Sequence, residues 1–328
     1  MKNRYAQRIA ALALAAALVL SGSAEALFGK KAEKTAEPGA PAAQDLEIKT
    51  YRGVPYQAKF LAVDQEGEAV TFALEEMPKK GTVVIADDSF TYAPEEGTTG
   101  SDKFTYTATD SAGHTSLPAT VTVTIEKTKS GVHYADMDGS AAAAAAQELA
   151  ETGVFTGARI GKHYYFEPDR PVSRSEFLAM VMETSGREVT AVTMTGFCDD
   201  AAIPTWAKAY AAAGVAEGIV QGSATAEGAA FRGGDTITFS QAATILDRVL
   251  DLGDVDLDVW YADREEVPSW AAQAVGNMEA VNVLSAGSFG SGTMEAPVTR
   301  ADAALMLSAA RTLLEGEAEP AGFFGWFR

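Results

Sequence analysis

The C-terminal part of this chain copies one unit three times, and a tandem copy of fixed period restricts the fold to a repeated supersecondary element. Val172-Ser173-Arg174-Ser175-Glu176, Ile237-Thr238-Phe239-Ser240-Gln241 and Val298-Thr299-Arg300-Ala301-Asp302 are versions of one segment, each followed by an apolar run. An aromatic-x-Asp triplet stands upstream of each: Tyr134-Ala135-Asp136, Phe197-Cys198-Asp199 and Tyr261-Ala262-Asp263. The aspartates are 63 and 64 residues apart. On this period the repeats occupy residues 132–186, 193–251 and 257–315.

Each repeat reads as a helix, a glycine-containing turn, a loop and a second helix. The second helix carries the sharper signal. Ser173, Thr238 and Thr299 are N-cap residues, with Glu176, Gln241 and Asp302 three places on. At that spacing the two side chains satisfy each other's backbone amides. Apolar positions then recur at helical intervals, as in Phe177, Leu178 and Val181, or Ile245, Leu246 and Val249. Pro204-Thr205-Trp206-Ala207 and Pro268-Ser269-Trp270-Ala271 mark the first helix, which ends near Gly153, Gly218 or Asn282.

Residues 45–126 follow a different period. Phe104, Tyr106 and Ala108 alternate with threonines, as do Val121, Val123 and Ile125. Turn residues separate these runs at 8–12-residue spacing, which predicts a β-sandwich. Residues 27–44 are rich in Lys, Ala and Pro and read as a flexible tether. Residues 127–131 read as a short polar joint.

The first 26 residues have a basic start, an apolar stretch from Ile9 to Leu20 and the triplet Ala24-Glu25-Ala26, the pattern of a cleaved secretory signal. The apolar stretch is shorter than the ~20 residues needed to span a bilayer, so no transmembrane segment is expected. Residues 1–26 hold three basic residues and one acid, so their removal takes the net charge from −19 to −21. Such a surface argues against nucleic acid as a partner, because phosphate binding needs a basic face, and against anchoring to anionic lipid by charge. Cys198 is the single cysteine; no intramolecular disulfide can form, and Cys198 reads as a small buried hydrophobe.

Catalytic signals are missing. His114, His133 and His163 have no partner at metal-ligand spacing, and there is no phosphate loop or nucleophile elbow. The chain reads as non-enzymatic. Its informative residues are Arg174 and Arg300, each at a first helical position, where the helix dipole disfavours a cation. A cation held beside free helix N–H groups makes a site for a carboxylate or phosphate. Pairing with a nearby aspartate is the structural alternative.

The aromatic-x-Asp triplets, the Trp-Ala pairs, Gly218-Ile219-Val220-Gln221-Gly222 and Val298-Thr299-Arg300-Ala301-Asp302 resemble the S-layer homology domain over residues 132–315. The run Gly100 to Gly113 resembles bacterial cadherin-like or immunoglobulin-like modules. Together the resemblances imply a multidomain fold: an all-β sandwich, then an all-α pseudo-threefold assembly of three repeats. They imply a secreted protein anchored at the cell wall through a secondary cell wall polysaccharide, commonly one bearing pyruvate ketals. Arg174 and Arg300 would be the ligand cations, Asp136, Asp199 and Asp263 the acidic positions, and Gly153, Gly157, Gly218 and Gly222 the turn glycines. Trp206 and Trp270 would either stack on a sugar face or pack in a core.

Several departures limit the implied site. Phe239 replaces the arginine of repeat two, and Arg232 lies nearby at the wrong spacing. The Trp position of repeat one falls in the run Ala141 to Ala146, and the turn of repeat three is Asn282 to Ala286. Two competent grooves at most are expected. Cadherin-like modules often take Ca2+, an ion suited to hard oxygen ligands; Asp64, Glu66, Asp102 and Asp110 are the candidates here, with ordinary turn acids the alternative. The other function classes are an adhesin whose β-sandwich is the working part, and an S-layer or envelope subunit whose repeats contact protein. The tail, residues 316–328, is acidic and then aromatic, and Phe323, Phe324, Trp326 and Phe327 suit a contact surface.

Overall fold

The computed structural model describes residues 37–257, 267–284 and 294–318. The signal segment, Tyr261, Asp263 and the aromatic tail lie outside them. The chain divides into two compact units, with the break after Glu151.

The first unit is built on two sheets. Strands β1 (Ala42–Ala43), β2 (Leu46–Tyr51), β3 (Tyr56–Lys59), β4 (Ala62–Val63), β5 (Thr71–Glu76), β6 (Gly81–Ala86), β7 (Ser89–Pro94), β8 (Gly100–Thr109) and β9 (Ala119–Glu126) follow in order. One sheet has the order β2-β9-β8-β5 and the other β3-β7-β6. Only β2 and β9 pair parallel, with Ile48 opposite Val123. The alternation of β9 does what its sequence dictates: Val121, Val123 and Ile125 are buried while Thr122 and Thr124 face outward. Phe60, Phe90, Tyr92, Phe104 and Tyr106 fill the core. Phe60 stands 4.8 Å from Phe90 and 4.5 Å from Tyr106 between ring centres, within the range where aromatic pairs add to burial.

Two features of this unit escaped the sequence. The tether's last residues belong to the sandwich: Ala42 and Ala43 pair with Val63 and Ala62, and the Gln44 amide donates to the Leu61 carbonyl at 2.9 Å. The joint at 127–131 is also held. Glu151, at the end of α1 (Ala143–Glu151), accepts from the Lys129 and Ser130 amides at 2.6 and 2.9 Å. Lys49 of β2 reaches Glu148 of α1 at 3.4 Å. Alanine, the best helix former, supplies most of α1, and Ala143 to Ala150 are all buried.

The second unit contains helices α2 (Arg174–Thr184), α3 (Thr205–Ala216), α4 (Phe239–Leu250), α5 (Ala272–Ala280) and α6 (Arg300–Ala318). The caps form as the sequence requires. Ser173 and Glu176 make both bonds of a capping box, the Thr238 side chain accepts from the Gln241 amide, and Thr299 and Asp302 bond reciprocally. Gly153, Gly218 and Asn282 follow the ends of α1, α3 and α5 in left-handed conformation, with φ of 79°, 74° and 59°.

Three peptide units bond in a closed cycle. The Val172 amide donates to the Val298 carbonyl, Val298 to Ile237, and Ile237 back to Val172, at 2.9–3.0 Å. Each following helix starts against the loop of another repeat. The Arg174 and Ser175 amides donate to Asp235 and Gly233, Phe239 and Ser240 to Ala296 and Met294, and Arg300 and Ala301 to Arg170 and Pro168. The first turns of these helices therefore bond to backbone carbonyls, which corrects the expectation of free N–H groups beside the arginines.

The loops also differ from an all-α reading. β10 (Ala158–Ile160) pairs with β11 (His163–Tyr165), and β12 (Ser223–Thr225) with β13 (Gly228–Ala230). Strands of three residues are too short to show a period. Gly157 and Gly222 enter these hairpins with φ of 67° and 75°. A Cβ on Gly222 would lie 2.7 Å from the Phe197 ring and 2.8 Å from the Ala230 carbonyl oxygen, so only glycine fits.

Candidate ligand groove

The start of α2 opens on a groove of about 290 Å³. Arg174 contributes its guanidinium and α4 contributes Gln241, Thr244 and Arg248. Trp270, 59% exposed, forms an aromatic wall, and Gln221 and Ser223 add polar groups. Trp206 is also exposed but does not line this groove. Exposure settles the alternative left open for both tryptophans: neither is a core residue.

Arg174 stands between a ring and two charges. Its guanidinium lies 5.5 Å from the centre of the Phe231 ring, a cation–π distance. Its Nε is buried without a hydrogen-bond partner, which is uncommon and calls for a functional explanation. Burial, and then the nearby Arg248 charge, push its pKa below the ordinary arginine value, with the Asp235 charge opposing them. Arg248 spends one N–H on the Ile219 carbonyl at 2.9 Å.

Arg300 has the opposite fate. It is 8% exposed, donates to the Phe166 carbonyl at 2.9 Å and to Glu167 at 2.7 Å, and lies over the Phe155 ring. This is the pairing alternative realised, with Glu167 rather than a triplet aspartate as the partner. Phe239, in the third such position, is 2% exposed and packs in the core.

Of the triplet aspartates, Asp199 has structural work. Asp199 accepts the Phe231 and Arg232 amides at 2.7 and 2.8 Å, fixing the loop that carries Arg232 in left-handed conformation. Asp136 lies in the first unit and is partly exposed. Neither Asp136 nor Asp199 lines the groove. Gly222 does; Gly153, Gly157 and Gly218 act as turn residues. Sequence reasoning missed Arg248, which no motif position marks.

Three of the four calcium candidates, Asp64, Asp102 and Asp110, are engaged by protein donors. Asp102 is 6% exposed and accepts the Lys79, Lys80 and Lys103 amides and the Tyr92 hydroxyl at 2.8–3.0 Å. Burial raises its pKa, but these four donors outweigh it and hold the carboxyl below the ordinary range. Asp64 caps its own turn through the Glu66 and Glu68 amides. Asp110 accepts from the His114 amide and pairs with its ring at 2.9 Å. Among the described residues no three His, Cys, Asp or Glu groups converge for a metal. Cys198 is exposed, not buried as expected, because the triplet opens a turn and the core takes Phe197.

With both units in view, the class of the first is defined by comparison: residues 38–127 match the bacterial cadherin-like domain. No curated relative matches the chain. Solved structures share pieces of it. The endo-fucoidan hydrolase MfFcnA4 of glycoside hydrolase family 107 is 15% identical over 34% of this chain and 17% of its own, with a TM-score of 0.24. The fibronectin(III)-like modules of Clostridium thermocellum CbhA are 16% identical over 27% of this chain and 47% of theirs, TM-score 0.20. The SrpA adhesin of Streptococcus sanguinis is 16% identical over 32% and 65%, TM-score 0.21. The chain thus spans under a fifth of the hydrolase, and these scores carry no functional weight. A cadherin-like sandwich fits a carbohydrate- or protein-binding role at a cell surface. No described helix is long and apolar enough to cross a membrane.

Proposed function

We propose that this protein is a non-catalytic surface protein held on a secondary cell wall polysaccharide by three S-layer homology repeats, displaying its cadherin-like sandwich outward. The observation that carries the reading is the groove in which Arg174, its Nε buried without a hydrogen-bond partner, stands with Arg248 beside the exposed face of Trp270. A guanidinium pair and an aromatic face suit an acidic sugar: the cations take the charge and the ring takes the apolar face of the pyranose. The cyclic bonding of Val172, Ile237 and Val298 supports the pseudo-threefold assembly that the repeat motif implies. A chain of net charge −19 repels an anionic polymer at long range, so binding relies on this local basic pocket. The test is co-sedimentation of the purified protein with wall polysaccharide from the source cells. Binding that needs the polysaccharide is expected; a protein left in the supernatant refutes anchoring.

The cadherin-like match at 38–127 favours a second reading, an adhesin whose sandwich binds a saccharide or protein. A glycan array probed with the intact protein and with Arg174→Gln separates them: adhesion through the sandwich survives the substitution.

A further inference from the structure

The sandwich has four strand edges, β2 and β5 on one sheet and β3 and β6 on the other, and three of them are guarded. Lys49 of β2 is ion-paired to Glu148 of α1. β5 carries Glu75 and Glu76, and its register breaks between Leu74 and Glu76. β3 is four residues long and ends on Lys59. Charge, bulges, brevity and a covering helix are devices that keep an edge from pairing with another chain. β6 differs. Gly81-Thr82-Val83-Val84-Ile85-Ala86 holds no charge, keeps an unbroken register with β7 and places four β-branched residues in succession, the type that strands favour. Val83 faces the core, whereas Val84 faces outward and is 66% exposed.

The backbone of β6 is aligned for a further strand. The Lys80 carbonyl accepts from the Glu95 amide at 2.8 Å, and the ladder continues in register to Ala86 opposite Ser89. Bonding alternates along an antiparallel strand. Thr82, Val84 and Ala86 therefore bond to β7, and the N–H and C=O groups of Gly81, Val83 and Ile85 point to the open edge. The two ends of the strand differ in charge. Lys79 stands before it and Asp87 after it, both exposed and neither in an ion pair among the described residues. The neighbouring Asp88 is taken by Lys59 at 2.8 Å. We propose that β6 pairs antiparallel with β6 of a second copy of this chain, joining two three-stranded sheets into one of six strands. Pairing centred on Val83 sets Gly81 opposite the second copy's Ile85, Thr82 opposite its Val84, and Lys79 beside its Asp87. Parallel pairing would set lysine beside lysine and aspartate beside aspartate. The contact is isologous and closes at two copies. A single strand pair is small beside the ~1,200–2,000 Å² buried in stable interfaces, so the dimer forms reversibly as concentration rises. This association is independent of what the repeats bind.

The experiment is sedimentation velocity of the intact protein over a concentration series at low and high salt, with the Tm of each variant confirming its fold. A monomer–dimer equilibrium is expected, weakened by salt because its charge pairs are exposed. Val84→Lys places a charge on the outward face of the edge and should leave monomer throughout the series. Lys79→Glu and Asp87→Lys should each weaken the dimer about 5- to 30-fold, the scale of reversing two exposed charge pairs, and the double variant should restore it. Should Asp87→Lys not tolerate its turn, where φ is 52°, Val84→Lys and Lys79→Glu decide the same question. A wild type that stays monomeric, a dimer indifferent to Val84→Lys or to Lys79→Glu, or a folded double variant no better than either parent would each overturn the inference. None of these results bears on polysaccharide binding by the repeats.

Discussion

Asp102 is the most sharply tested element of the sandwich. Its Oδ1 accepts the Lys79 and Lys103 amides, and its Oδ2 accepts the Lys80 amide and the Tyr92 hydroxyl. Asp102→Asn keeps the shape but turns one acceptor into an NH2 donor. One oxygen can still serve two amides. The other pair then faces a donor; Tyr92 can turn to accept, but one backbone N–H is left unsatisfied. The lost charged bond costs about 1.5–3 kcal/mol and the stranded buried amide about 1–3 kcal/mol more, so a loss of roughly 3–5 kcal/mol is expected. In a domain of this size 1 kcal/mol shifts Tm by roughly 4–8 °C, so the sandwich transition should fall by at least about 12 °C. Scanning calorimetry of the intact protein, with tyrosine near-ultraviolet dichroism to assign the transition, reads it directly. The pH dependence has a fixed sign. A carboxyl held below its unfolded pKa stabilises the fold above that unfolded value, near 4, and the contribution is lost as pH falls through the folded value. Wild type should lose stability on acidification below about pH 4 more steeply than Asp102→Asn. A variant that melts with the wild type, or acid slopes that coincide, would refute this account of the buried carboxylate.

Four further outcomes follow from the repeats. Arg300→Gln should destabilise its repeat by about 1.5–3 kcal/mol in urea melts, because Glu167 and the Phe166 carbonyl lose a charged partner, whereas Arg174→Gln, which gives up the contact with the Phe231 ring, should cost only about 0.5–1 kcal/mol. Phe239→Ala should cost about 3–5 kcal/mol, and Phe239→Arg should be worse, since the side chain is 2% exposed and the new charge would be buried without a partner; a stable Phe239→Arg protein would show that this position can reach solvent. Gly222→Ala should lose at least about 1 kcal/mol through its positive φ and more from overlap with Phe197, visible as a lower Tm. Asp200, held at about 2 mainly by its hydrogen bond from Lys208, should titrate there by NMR and move toward the ordinary carboxyl value in Lys208→Met; an unmoved midpoint would remove Lys208 as the cause.

The sequence by itself determined features that depend on near neighbours wherever an element was long enough to show its pattern. The caps at Ser173, Thr238 and Thr299, the α2 and α4 apolar faces, the alternation of β8 and β9, and the left-handed residues Gly153, Gly218 and Asn282 all rest on side chains within four places of one another. The repeated capping segment likewise located three equivalent positions, Arg174, Phe239 and Arg300. Only the tertiary structure decided what each position does. Arg174 and Arg300 look alike in sequence, yet Arg300 pairs directly with an acid 133 residues away, whereas the acid acting on Arg174 is Asp235, in another repeat. Arg248 joins the groove from a helix whose pattern marks it only as a surface residue. Asp199 spends its carboxylate on amides more than 30 residues downstream. Local propensity is a sum over adjacent residues, whereas charge pairing and burial depend on which distant segments fold against one another.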